Sequence, residues 1–106
     1  MRRDVRTIAV VQDQVEMQLA CYPAGSAGYL RHTDARPGGA RCFTAIAYCN
    51  PGWQRGHGGE LRLWPPCAVD AAVDVEPRAG RLLLFLSGCV HHAVLPTSCD
   101  RVAVTM

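Results

Sequence analysis

Glycine and proline interrupt this chain at short, regular intervals, and that spacing restricts the fold more than any other feature. The breaks fall at residues 23–25, 37–39, 51–52, 56–59, 65–66, 77–80 and 96. Because both residues are disfavoured inside helices, the apolar segments between them are too short for most helices. They predict strands at residues 5–11, 15–22, 28–32, 42–48, 60–64, 72–75, 81–86, 92–95 and 101–105. Strands repeated at this spacing are typical of an antiparallel sandwich or barrel, so we expect an all-β fold.

Length and composition fit one folded domain and exclude several functions. With 106 residues, 49% of them hydrophobic and 19% charged, the chain can bury one core, and we expect a single domain over residues 1–106. All basic residues are arginine, which excludes a Schiff-base lysine and a phosphate-loop lysine. No basic run is longer than Arg2-Arg3, and no apolar run approaches a membrane span. We therefore expect neither a nucleic-acid partner nor a membrane partner.

The six cysteines, at positions 21, 42, 49, 67, 89 and 99, show neither a CxxC pair nor zinc-ribbon spacing. The N-terminus carries no apolar signal-peptide core, and reduced thiols are typical of proteins that are not exported. We therefore expect free cysteines and an intracellular location, in the cytoplasm or the nucleus. Cys21, Cys42 and Cys49 lie in apolar stretches and are expected to be buried. A disulfide framework is the alternative.

One segment places two metal-binding side chains on the same face of a strand. His32 and Asp34 are two residues apart, so the alternation of side chains along a strand can direct both into one cavity. A histidine from a distant strand would complete a facial triad with open coordination positions, as non-haem Fe(II) oxygenases require. His-x-Asp pairs also arise by chance, and a solvated pair in a turn is the alternative.

The third ligand has to come from one of the remaining histidines. His57 lies between glycines in a loop, which is poorly suited to hold a ligand in place. His91 and His92 begin a predicted strand on opposite faces, so only one of them can face the cavity. Alternation alone does not choose between these two.

Arg101 opens the last predicted strand and shares a face with Ala103 and Thr105. A guanidinium at the floor of a small apolar cavity is costly unless it meets an anion, preferably a carboxylate bound through two N–H groups. Beyond a metal triad, such an arginine suggests a dicarboxylate that also chelates the metal. The alternative is an arginine at the strand edge that is exposed or pairs with Asp100.

Short fragments along most of the chain match, in order, the motifs of one protein family. They are residues 20–23, 28–34, 41–42, 48–50, 53, 58–62, 76–77, 81–83, 85, 92–96 and 101. In this order and spacing, residues from about 19 to 105 resemble the Fe(II)- and 2-oxoglutarate-dependent dioxygenases, specifically the prolyl 4-hydroxylases of the hypoxia-sensing prolyl hydroxylase domain type. The resemblance implies a double-stranded β-helix, a jelly-roll barrel with the metal at its open end.

The resemblance also implies a role for each matching residue. His32, Asp34 and His92 correspond to the Fe(II) ligands, and His92 is the histidine whose distance to Arg101 fits the family. Arg101 would bind the distal carboxylate of 2-oxoglutarate, assisted by the hydroxyl of Tyr48. The cosubstrate pocket would be lined by Tyr22, Leu61, Val94 and Thr105. Arg41 would contact the substrate peptide at the mouth of the pocket.

Alternation over residues 42–48 supports the inward direction of Tyr48, because it puts Tyr48 on the same face as Thr44 and Ile46. For Tyr22 and Tyr48 the alternative is a core aromatic whose hydroxyl has a hydrogen-bond partner.

The activity that the resemblance implies is hydroxylation at C4 of a prolyl residue in a protein or peptide substrate. Dioxygen and 2-oxoglutarate would be consumed, succinate and carbon dioxide released, and ascorbate would act as the reductant that rescues the iron. A 2-oxoglutarate dioxygenase of another substrate specificity is one alternative. The other is a truncated, non-catalytic β-domain, because family members carry covering helices outside the core. We expect this chain to be truncated at both ends and one sheet to expose apolar side chains.

Overall fold

The described residues of this computed structural model, 17–34, 43–66 and 71–106, form eight strands and no helix. The strands are β1 (Gln18–Tyr22), β2 (Tyr29–His32), β3 (Phe43–Tyr48), β4 (Leu61–Trp64), β5 (Val73–Val75), β6 (Leu82–Leu86), β7 (His91–Val94) and β8 (Arg101–Thr105). They coincide with the predicted segments from 15–22 onwards, with ends that differ by at most three residues. The all-β prediction is confirmed, and the predicted strand at residues 5–11 lies outside the described residues.

The strands form two four-stranded antiparallel sheets. The first sheet has the order β1-β8-β3-β6 and the second has the order β2-β7-β4-β5. The chain passes from one sheet to the other at every connection except the one between β4 and β5. This is the jelly-roll arrangement of a double-stranded β-helix, as expected. In the part of the chain that the structure describes, no helix is long and apolar enough to cross a membrane.

The core lies between the two sheets and follows from side-chain alternation. In β3, Thr44, Ile46 and Tyr48 are buried, whereas the residues between them are partly or fully exposed. The buried apolar cluster joins both sheets; its members are Ile46, Tyr48, Leu61, Leu63, Phe85, Val94 and Ala103. The sheets therefore meet through the faces that alternation directs inward.

The outer faces of the two sheets differ in polarity. On the first sheet, register aligns Leu19, Val104, Ala47 and Leu82 in one apolar row. Leu19 is 72% exposed and Leu82 is 59% exposed, so this face has the exposed apolar character that the sequence predicts. On the second sheet, the outer face is charged, with ion pairing between the side chains of Arg62 and Asp74.

The burial predicted for the cysteines is wrong at two positions. Cys21 and Cys49 are both exposed. Cys21 lies on β1, which is one of the two edge strands of the first sheet. Cys49 directly follows the inward-facing Tyr48, so alternation turns it outward. Cys89 and Cys99, like these two, are free. Cys42 and Cys67 lie outside the described residues.

Candidate active site

Two imidazoles come from neighbouring strands of the second sheet. His32 ends β2, and His92 is its direct cross-strand partner in β7, with ring centroids 4.3 Å apart. The Nδ1 atom of His32 lies 2.7 Å from the carbonyl oxygen of Leu30, and that of His92 lies 3.2 Å from the carbonyl oxygen of Val90. When Nδ1–H donates to these carbonyls, each Nε2 keeps a lone pair for a metal. His91 is exposed, whereas His92 is buried.

Asp34 lies just beyond the end of β2 and brings a carboxylate to both imidazoles. Its Oδ1 atom is 3.5 Å from Nε2 of His32 and 3.4 Å from Nε2 of His92. Its Oδ2 atom accepts a hydrogen bond of 2.7 Å from the hydroxyl of Thr44. Burial alone would raise the pKa of Asp34, but the contact with His92 and the hydrogen bond from Thr44 lower that pKa to about 2. The carboxylate is therefore ionised at neutral pH.

The three side chains form a donor set that fits a divalent metal ion. Among the described residues, the ligand atoms of His32, Asp34 and His92 lie within 4.8 Å of one another. Ligands bound at about 2.1 Å on one face of an ion are about 3 Å apart, so only a small approach is needed. Two histidines and one carboxylate on one face leave the other coordination positions open, which is typical of non-haem Fe(II) oxygenases.

Arg101 lies in the same open cavity, which has a volume of about 550 Å³. Its side chain is buried, and its Nε donates a 2.6 Å hydrogen bond to the carbonyl oxygen of Gly59. The guanidinium carbon is 5.3 Å from the ring centroids of both Tyr22 and Tyr48. Burial lowers the pKa of Arg101, and the neighbouring phenols oppose this shift. A buried guanidinium in this position fits a carboxylate ligand.

No acidic side chain in the described ranges forms an ion pair with Arg101. The Oδ1 atom of Asp100 instead accepts a hydrogen bond from the backbone N–H of Ala24, so the pairing of Arg101 with Asp100 is not formed. Gly59 has a φ of +77°, and a Cβ at this position would lie 3.1 Å from Cδ of Arg101. Glycine therefore gives the arginine room to reach the carbonyl.

Tyr48 packs against Arg101. It is 2% exposed, and its hydroxyl oxygen is buried without a hydrogen-bond partner in the described structure. Burial raises the pKa of Tyr48, and the positive charge of Arg101 opposes the shift. The phenol therefore keeps its proton at neutral pH and has a hydrogen bond to donate.

The family profile of the 2OG-Fe(II) oxygenase superfamily matches residues 17–106. The chain belongs to this superfamily. It is similar to prolyl hydroxylase EGLN3 of Mus musculus, with 40% identity over 98 residues, which are 91% of this chain and 41% of that protein. The chain therefore spans about two fifths of the length of that relative.

Solved structures of prolyl hydroxylases have the same fold as this chain. A Pseudomonas putida prolyl-4-hydroxylase is 44% identical with a TM-score of 0.75, over 84% of this chain and 49% of that one. A Trichoplax adhaerens prolyl hydroxylase, in complex with a peptide fragment of the hypoxia inducible factor oxygen degradation domain, is 38% identical with a TM-score of 0.77. That match covers 85% of this chain and 41% of the other. The resemblance to prolyl hydroxylases is confirmed.

The structure brings most of the predicted site residues to one cavity. Its lining includes His32, Asp34, His92, Arg101, Tyr22, Leu61, Val94 and Thr105. Tyr48 is not in that lining but lies against Arg101. Arg41 lies outside the described residues. The roles of all these residues as ligands or contacts stay predictions.

Sequence reasoning gave no role to several residues that contribute to the site. Ile46 and Ala103 line the cavity, and alternation had already placed them on the faces of Tyr48 and Arg101. The Tyr29 ring lies edge-on to His32, with centroids 4.6 Å apart. Ser87 follows β6 in a turn and contacts the site only through tertiary structure, so no local signal could have indicated it.

Proposed function

We propose that this chain is the catalytic core of a prolyl 4-hydroxylase, which uses Fe(II), 2-oxoglutarate and dioxygen to hydroxylate C4 of a prolyl residue in a protein or peptide. The observation that carries the proposal is the convergence of His32, Asp34 and His92 in one cavity with the buried Arg101. The prolyl hydroxylase relatives support the substrate class, and one of them is in complex with a peptide.

His32, Asp34 and His92 would hold Fe(II) from one side and leave the cavity side open for 2-oxoglutarate and dioxygen. When bound, the metal supplies the oxidative chemistry that converts 2-oxoglutarate to succinate and carbon dioxide and inserts one oxygen atom into a prolyl C–H bond. The protein contributes the placement of the reactants in that chemistry.

Arg101 would hold the distal carboxylate of 2-oxoglutarate through its guanidinium N–H groups, and the Tyr48 hydroxyl would donate to the same carboxylate. Tyr22 and Thr105 would line the bound cosubstrate. Leu61 and Val94 are 1% and 8% exposed, and their apolar side chains would keep water from the cavity walls. The Nε of Arg101 would keep its hydrogen bond to the carbonyl oxygen of Gly59.

The substrate rim and the reductant complete the proposal. Arg41 would contact the substrate peptide at the mouth of the cavity. If a cycle without product leaves the iron oxidised, ascorbate would reduce it to Fe(II).

Binding is tested first, without substrate. Fe(II) and 2-oxoglutarate are added to the full chain under anaerobic conditions, and the visible charge-transfer absorption of the chelate is recorded. We expect this absorption in the unchanged protein and in His91→Ala, but not in His92→Ala. Its absence from the unchanged protein would contradict the proposed site.

Turnover is tested next, with dioxygen and prolyl peptides that include the peptide class bound by the Trichoplax relative. We expect succinate and hydroxyproline in equal amounts, measured by mass spectrometry, and neither product with a peptide that carries alanine in place of proline. Succinate with a different modified product would favour a dioxygenase of another specificity. A folded, iron-binding protein without turnover would favour the non-catalytic β-domain.

A further inference from the structure

Two fully buried hydroxyl groups lie behind the carboxylate of the candidate metal site. Thr44 and Ser87 are both 0% exposed. The hydroxyl of Thr44 is 2.7 Å from Oδ2 of Asp34 and 2.8 Å from the hydroxyl oxygen of Ser87. The carbonyl oxygen of Ser87 also accepts a 3.1 Å hydrogen bond from the backbone N–H of Asp34. Strand β3 and the turn after β6 therefore hold Asp34 through its side chain and its backbone, respectively.

The number of hydroxyl hydrogens determines which group donates in each of these hydrogen bonds. A threonine hydroxyl has one hydrogen, and Thr44 donates it to the carboxylate of Asp34. The contact between Thr44 and Ser87 then requires Ser87 to be the donor. The direction is Ser87 to Thr44 to Asp34, and each hydroxyl is polarised by the next acceptor. A hydrogen bond to an ionised carboxylate is stronger than one between neutral groups.

Asp34 needs such support more than the two histidines do. His32 and His92 are opposite each other in the β-ladder, so the backbone of the second sheet sets their distance. Asp34 lies beyond the last residue of β2, where no ladder fixes its side chain. Without Thr44, both of its oxygens would be free to turn toward a bound cation.

We propose that Thr44, backed by Ser87, is a positioning residue that occupies one oxygen of Asp34 and leaves only Oδ1 for the metal. Oδ1 is the atom that faces both imidazoles, at 3.5 and 3.4 Å. A carboxylate that binds through one oxygen keeps a further coordination position open, and open positions are what the cosubstrate and dioxygen need. This inference rests on the proposed function for the use of the open positions, but not for the geometry.

The test measures Co(II) binding to the full chain without cosubstrate or substrate. Removal of an outer-shell partner of a metal ligand lowers affinity by about 10- to 100-fold, and we expect a loss in this range for Thr44→Val. The variant keeps the shape of the side chain but has no hydroxyl. We expect Thr44→Ser to restore the affinity and Ser87→Ala to cause a smaller, several-fold loss. Thr97→Val is the matched control, because Thr97 is also buried but its hydroxyl bonds to the carbonyl oxygen of Cys99.

The visible absorption of bound Co(II) provides a readout that a purely structural role would not change. We expect its intensity to change in Thr44→Val, because a second oxygen of Asp34 would enter the coordination sphere, and to return in Thr44→Ser. Unchanged affinity and spectrum in Thr44→Val would overturn the inference. If Thr44→Val does not fold, unchanged affinity in Ser87→Ala would overturn it.

The outcome also separates this inference from the proposed function. An unchanged protein that binds Co(II) but shows no turnover with any prolyl peptide would contradict the proposed function alone. A Thr44→Val protein with normal Co(II) binding would contradict the positioning role alone. Failure of the unchanged protein to bind Co(II) would contradict both.

Discussion

The two ends of the cavity are built in different ways. At the cation end, formed by His32, Asp34 and His92, each side chain has a protein partner that fixes its orientation. At the anion end, formed by Arg101 and Tyr48, the guanidinium has no acidic partner among the described residues, and the Tyr48 hydroxyl is buried without a partner. The cation end is thus preorganised by the protein, whereas polar groups of the anion end have no protein partner among the described residues.

This difference has an energetic consequence. A buried polar group without a hydrogen bond costs about 1–3 kcal/mol, so the anion end lowers the stability of the unliganded fold. A carboxylate bound there would remove that penalty and stabilise the folded state by mass action. The cation end shows no such deficit in its side-chain contacts. Substitutions at the two ends should therefore have different effects on stability and on binding.

The largest expected effect is the loss of the cation end in His92→Ala. Because this removes a proposed ligand rather than an outer partner, we expect cation affinity to fall by more than about 100-fold. Isothermal titration with Co(II) measures the effect. His91→Ala is the matched control, since His91 precedes His92 in β7 but is exposed. Equal losses in both variants would contradict the assignment of His92.

The next effect is at the anion end, in Arg101→Gln. Hydrogen bonds to charged groups contribute about 1.5–3 kcal/mol, so we expect 2-oxoglutarate affinity to fall roughly 10- to 100-fold. Co(II) affinity should stay the same, which would sharpen the separation of the two ends. Arg62→Gln is the control, since Arg62 pairs with Asp74 on the outer face of the second sheet. A loss of Co(II) affinity in Arg101→Gln would show that the ends are coupled.

Tyr48→Phe should weaken 2-oxoglutarate binding without lowering the stability of the fold. Because the hydroxyl has no partner in the unliganded protein, we expect the free energy of unfolding to stay the same or to rise by about 1 kcal/mol. Affinity for 2-oxoglutarate should fall by about tenfold, which corresponds to one hydrogen bond. Urea unfolding and ligand titration measure the two effects. Thr97→Val is the contrasting variant, because it removes a buried hydroxyl that already has a partner and should lower the stability. A clear loss of stability in Tyr48→Phe would mean that the hydroxyl already has a partner.

The smallest expected effect is a pH dependence of stability. Burial raises the pKa of Tyr48 above its ordinary value of 10.0. The folded chain therefore keeps this proton after the unfolded chain has lost it, so stability is full below about pH 10 and falls as pH rises through the folded pKa. We expect the free energy of unfolding to decline above about pH 10, and to decline less steeply in Tyr48→Phe. Tyr22 has a pKa raised in the same direction, so part of the decline should remain. Identical slopes for both proteins would argue against the burial of Tyr48.

The regular part of the fold could be predicted from the sequence. Glycine and proline mark the ends of short apolar segments, and these segments became the strands from β1 to β8. Strand alternation distinguished two neighbouring histidines by face, and the structure buries His92 and exposes His91. The burial expected for Cys21 and Cys49 came from their apolar sequence context, and it was wrong, since both are exposed. An apolar sequence context does not show whether another element covers the side chain.

What the sequence determined by itself is local: the strand segments, the face of each side chain and, through the order of its motifs, the superfamily. Only the tertiary structure decided that His32 stands opposite His92, that Thr44 and Ser87 hold Asp34, and that Tyr48 lies against Arg101. The physical reason is that alternation has a period of two along one strand, whereas register and contacts between sheets join residues that are distant in the chain. Those distant contacts place the candidate ligand side chains, so the geometry of the site is a property of the folded barrel.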